Sequence, residues 1–174
     1  MNFQIKKALE ILEQTPDTLK SLLSNLSNEW IFNNEGNDTW SSFNIIGHLI
    51  HGEETDWITR TKIILSSETD RKFQHFDRFA QNERFKNNSL AELLILFKKL
   101  RKINIENFRQ MEVNNSMLGK KGVHPEFGEV TLKELLAAWV VHDLNHIGQI
   151  VRVMSKQYSE EVGPFKKYLP ILHN

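Results

Sequence analysis

Hydrophobic residues recur at helical spacing in four long stretches of the chain, and the alternation typical of strands is scarce. Over about residues 2–27, Phe3, Ile5, Ala8, Leu9 and Leu12 share one stripe, which Leu19, Leu22, Leu23 and Leu26 continue. Thr15-Pro16 interrupts it. Threonine suits an N-cap and proline the first helical position, so this stretch is expected to be a helix, a kink and a second short helix. Asn33, Asn34, Gly36, Asn37 and Asp38 cluster as turn formers. A second long helix is expected from Ser41 or Ser42 to about Leu65. It carries Phe43, Ile46, Ile50 and Trp57 on one side and Ile45 and Leu49 near another. So wide an apolar arc implies packing against several neighbours.

Residues 66–88 are polar but hold Phe73, Phe76, Phe79 and Phe85, a spacing that predicts a short helical turn over the bundle. Ser89 with Glu92 forms a capping-box pattern that opens a third helix with the stripe Leu90, Leu93, Leu94, Phe97, Leu100 and Phe108. Gly119, Gly122, Pro125 and Gly128 mark residues 113–130 as a loop. Thr131 with Glu134 opens the last helix, whose stripe is Leu132, Leu135, Leu136, Trp139, His142, His146, Ile150 and Val153. After Gly163-Pro164 the tail carries Phe165, Tyr168, Leu169, Ile171 and Leu172 and is expected to dock back. The pattern therefore predicts an all-α fold, a four-helix bundle with long connecting loops and a kinked first helix. Loops of that length at the bundle ends suit a functional role.

Composition narrows the chemistry. The chain has 174 residues, expected to form one domain over 1–174, with 40% hydrophobic and 25% charged residues. Lys+Arg and Asp+Glu are both 22, which argues against a large basic footprint for nucleic acid or an anionic membrane. No run approaches the ~18 apolar residues of a membrane span. MNFQIKKALEILEQ mixes charge into every turn and is not expected to act as a signal peptide, leaving the cytoplasm as the default location. There is no cysteine, so disulfides, thiolate nucleophiles and cysteine-based metal sites are excluded. A metal would have to be held by histidine nitrogens and carboxylate oxygens.

The strongest chemical signal is His142-Asp143-Leu144-Asn145-His146. Two histidines four apart lie one turn apart on one helix face, where their rings can converge on a metal. Seven histidines scattered over the chain would give such a pair in roughly one arrangement in four, so spacing alone is weak. Position adds weight, because both rings extend the apolar stripe into the interior, where an unpartnered imidazole is costly. His48, flanked by apolar residues in Ile45-Ile46-Gly47-His48-Leu49, is the best third ligand. Gly47 costs about 1 kcal/mol in a helix, which suggests a close approach by a neighbour or ligand. His51 reads as rim, His75 and His124 lie in loops, His124-Pro125-Glu126 could line an entrance, and His173 is terminal.

At these residues the chain resembles the DinB/YfiT-like superfamily of small metal-binding four-helix bundles. The matching pieces are Trp40 followed by Gly47-His48-Leu49-Ile50-His51-Gly52-Glu53, and Trp139 to Ile150 around the histidine pair. The resemblance implies a three-histidine site of His48, His142 and His146 holding one divalent metal, zinc or nickel, and a homodimer. It also implies either thiol-dependent transfer, as in bacillithiol transferases, or metal-dependent hydrolysis.

Three imidazoles are neutral ligands that leave open positions on a metal, able to acidify a water or a low-molecular-weight thiol. The first expectation is thus an enzyme acting on a small-molecule substrate, by thiol transfer or hydrolysis. Glu53, Asp56 and Asp143 are acid/base or supporting candidates, with ion pairing the plainer role for each. Gln149 could bond a ring or ligand, and Arg60 and Arg152 could hold a substrate carboxylate or pair on the surface. The rival expectations are a structural metal, a non-catalytic ligand-binding bundle, or histidines that simply hydrogen-bond in the core.

Overall fold

A computed structural model describes residues 2–173. Its long helices are α1 (Ile5–Leu23), the pair α3 (Ser42–Thr55) and α4 (Trp57–Leu65), α6 (Leu90–Gln110) and α7 (Leu132–Lys156), with short helices α2 (Asn28–Phe32) and α5 (Ala80–Arg84) between them. Helices α1 and α3 each pack against both α6 and α7, closing a four-helix bundle. Among the described residues no helix is long and apolar enough to cross a membrane. The capping boxes at Ser89–Glu92 and Thr131–Glu134 form as expected, and Ser41 makes a third with Asn44.

The first helix differs from the expectation in an instructive way. It runs through Pro16 rather than restarting there, and the Thr15 hydroxyl donates to the Ile11 carbonyl (3.0 Å) instead of capping. Pro16 has no N–H, so the Leu12 carbonyl one turn back loses its helical donor. Arg101 Nη1 supplies the missing bond at 2.8 Å. No second helix begins at Pro16, and the next helix, α2, starts at Asn28, beyond the stretch in which one was expected.

The long second helix is cut at Asp56, and the Trp57 indole folds back so that a Cβ on Gly52 would sit 3.2 Å from its Nε1. Gly47 likewise faces close neighbours, since an added Cβ would meet Phe85 at 3.1 Å and Gln81 at 3.2 Å. The close approach expected there is made by α5.

Residues 113–130, expected to be a loop, are more ordered than that. They hold a 3-10 turn, Asn115–Met117, and an antiparallel hairpin of β1 (Lys121–His124) and β2 (Gly128–Thr131). Four-residue strands reading KGVH and GEVT carry too little alternation to announce themselves. Backbone bonds between Phe73 and Val123 and between Val123 and Arg71, each 2.9 Å, tie the hairpin to the preceding loop. Gly122 is required there, as a Cβ would lie 2.5 Å from the Phe73 ring. The tail docks on α7 through its last turn, with Leu172 buried, whereas Phe165 and Tyr168 stay exposed.

The core is split. One apolar cluster holds Leu19, Ile50, Phe97 and Ile150 among others, and a second holds Leu12, Trp57, Ile105 and Trp139. On α3, α6 and α7 a charged residue falls between the two, namely Glu53, Arg101 and Asp143. All three are buried. Arg101 meets Asp143 with both terminal nitrogens (2.6 and 3.0 Å) and Glu53 at 2.8 Å. Glu53 further accepts from Asn104 Nδ2 (2.9 Å) and Trp139 Nε1 (3.0 Å). Burial opposes the charge on Arg101, yet the two carboxylates more than offset it and raise its pKa.

Candidate metal centre

Directly beside this polar layer, α3 presents His48 and α7 presents His142 and His146. Their Nε2 atoms converge, at 3.1 Å for His48–His142 and 3.2 Å for His142–His146. One ring nitrogen from each of the three lies within 4.8 Å of the others. Three nitrogens each about 2.05 Å from a tetrahedral ion would stand about 3.3 Å apart, so the spacing fits a shared cation. The tautomer fits as well. Gln149 Oε1 accepts from His146 Nδ1 (2.8 Å), which leaves the His146 Nε2 lone pair facing the cluster.

Burial is the main reason these rings are neutral. It pushes His48 down to about 3 and His142 to about 2, with the neighbouring histidines adding to the effect. His146 is lowered by burial too, opposed by Gln149 and Asp143. Neutral imidazoles with free lone pairs are what a metal requires. Aromatic side chains pack around them, with Trp40 over His48 (4.7 Å between centroids), Phe76 edge-on to His48 (5.5 Å) and Trp57 edge-on to His142 (5.1 Å).

The three histidines line a cavity of about 380 Å³ together with Asp56, Phe76, Arg78 and the hairpin tip around Phe127. His124, Pro125 and Glu126 therefore do stand at this entrance. Asp56, paired with Arg60, has its pKa raised to about 6 by burial, with Arg60 working against the shift. The folded chain thus binds this proton more tightly than the unfolded chain, whose carboxyl titrates near the ordinary 3.8. Its contribution favours folding at low pH and fades as pH rises from about 4 to about 6. Relative to wild type, Asp56→Asn should gain up to about 3 kcal/mol between pH 4 and pH 7, measured by urea unfolding across that range. A pH-independent difference would count against the assignment.

The remaining candidates are placed as follows. His51 lies at the rim against Phe76, at 4.9 Å. His75 is exposed, facing Glu126 at 3.5 Å, and His173 bonds the Lys166 carbonyl. Arg152 is held by Glu35 in a two-pronged pair (2.8 and 2.7 Å), and Arg60 by Asp56. Glu53 and Asp143 serve the ion-paired layer. Arg101 and Asn104, which complete that layer, and Arg78 were not expected from the sequence. For Arg101 the signal was there, because it occupies a core position of its own stripe.

Two solved structures share the fold. YfiT from Bacillus subtilis, described as a probable metal-dependent hydrolase with an unusual four-helix bundle topology, superposes with a TM-score of 0.73 at 18% identity, covering 93% of this chain and 91% of its own. TT2238, a four-helix bundle protein, gives a TM-score of 0.53 at 20% identity, over 82% of this chain and 94% of its own. No curated protein matches the chain. A family model described as the DinB superfamily matches residues 11–150.

Proposed function

The chain belongs to the DinB superfamily, and from that premise we propose that it is a metal-dependent hydrolase of small molecules, with His48, His142 and His146 holding one divalent cation, zinc or nickel. The observation that carries this reading is the convergence of three neutral imidazole nitrogens on one point in a cavity wall. The description of YfiT as a probable metal-dependent hydrolase supports it. When bound, the cation supplies a Lewis acid that polarises the substrate and acidifies the nucleophile. Gln149 holds the His146 ring in register, and the aromatic side chains exclude bulk water from the three rings.

Asp56 supplies a proton acceptor for water, as it would for a thiol. A carboxyl with a pKa near 6 in the same cavity can accept a proton at Oδ near neutral pH, which hydrolysis needs. The test is turnover of a panel of small esters and amides by zinc- or nickel-loaded protein, with and without bacillithiol or glutathione. Turnover without thiol, abolished by metal removal and by His48→Ala, is expected. Turnover that requires thiol would reassign the site to thiol transfer, and none with either would leave a binding protein. The reading includes a homodimer, supported by the exposed Val141, Leu144 and Val151 on α7, and sedimentation should give twice the chain mass.

A further inference from the structure

Arg78, on the loop before α5, lines the 380 Å³ cavity with the three histidines and also a neighbouring cavity of about 650 Å³ that Trp40, His146 and Gln149 border. Its guanidinium lies over the Trp40 and Phe79 rings, 5.8 and 5.2 Å from their centroids. Every other arginine of the chain bonds a carboxylate or a backbone carbonyl, at Asp56, Glu68, Glu54, Asp143, Glu13 or Glu35. Arg78 has no such partner among the described residues. Arg78 is exposed, so its donors are left to solvent or to a ligand.

The planar fork of arginine matches a carboxylate, and the two rings beside it narrow the space in which it can move. Four aromatic side chains, Trp57, Phe76 and Phe127 beside Trp40, also line the 380 Å³ cavity, with Asp56, Arg60 and Glu126 as its further charged residues. We propose that the substrate is a small carboxylate with a planar apolar body, its carboxylate taken by Arg78 between Trp40 and Phe79 and its body laid against these aromatic walls. This rests on the metal-centre reading for the reacting end of the substrate but not for the Arg78 contact.

The test uses benzoate as probe, titrated into the full chain in zinc-loaded and in EDTA-treated form and followed by tryptophan fluorescence. Binding is expected in both forms, weakened at least about tenfold by Arg78→Met and less by Arg78→Lys. Benzamide, the same shape without the charge, should bind at least about tenfold more weakly than benzoate. Equal binding of benzoate by Arg78→Met and wild type overturns the proposal. So does equal binding of benzamide and benzoate, or Arg78-dependent binding of phenyl phosphate without that of benzoate. Zinc stoichiometry on the same samples reports on the metal centre separately. A chain that takes no zinc but keeps Arg78-dependent benzoate binding loses the metal reading and keeps this one, and the opposite result does the reverse.

Discussion

Replacing Arg101 with methionine is expected to lower the folding stability by about 3–5 kcal/mol, read as a fall in the urea midpoint at an unchanged m value. Methionine fills much of the volume, so the loss is chiefly electrostatic. Arg101 is 2% exposed, and the Asp143 and Glu53 side chains that it pairs with are fully buried. Without the guanidinium, two carboxylates face each other in the interior with only Asn104 and Trp139 still donating to Glu53. The Leu12 carbonyl, already deprived of a helical donor by Pro16, loses its substitute as well. Adding Glu53→Gln and Asp143→Asn to Arg101→Met should recover part of the loss, because no buried charge is then left unpaired. A loss below about 1 kcal/mol in the single variant would mean that the pair of carboxylates is not held by Arg101. The variant should also bind metal less tightly, since the layer ties α3 and α7, the helices that bring His48 to His142.

The same charged layer shows what the sequence could and could not convey. Helical stripes, capping residues and the order of elements follow from local chemistry, and the bundle was legible for that reason. The convergence of His48 with His142 and His146 was legible because all three sit on apolar faces. Asp143 was harder. Ion pairing was its plainer role, but its central place was not expected, since the buried line on α7 runs Leu135, Leu136, Trp139, Asp143, His146, Ile150, Val153. Asp143 is at the centre of that face and His142 at its edge. Arg101, four residues from both Phe97 and Ile105, and Glu53, between Ile50 and Trp57, interrupt their stripes in the same way. A charge in a core position is a signal only if its partner can be named, and the partners lie 42 and 48 residues away from Arg101. The hairpin and the seat of Arg78 depend on contacts still less local, such as Phe73 against Gly122.

Truncation of His142 to alanine should cost about 10²–10³-fold in metal affinity. Zinc-finger peptides gain about 10–16 kcal/mol from four ligands, hence about 2.5–4 kcal/mol for each. His142 is the middle ligand, within 3.2 Å of both other Nε2 atoms, so its loss leaves the two farthest apart. Gln149→Leu should cost less, about 10–100-fold, because it frees the His146 ring and its tautomer without removing a donor. Competition with a chromophoric chelator would rank the two. Thermal unfolding adds a second readout, since metal at about 100 times its Kd stabilises the folded chain by about 2.7 kcal/mol. That rise should vanish in His142→Ala at the same metal concentration. The metal-free variant should fold nearly as well as metal-free wild type, because the Nδ1 that it removes is buried without a hydrogen-bond partner. Wild-type metal affinity in His142→Ala would remove the centre from this position, whereas lost affinity with a preserved fold separates a ligand from a structural histidine.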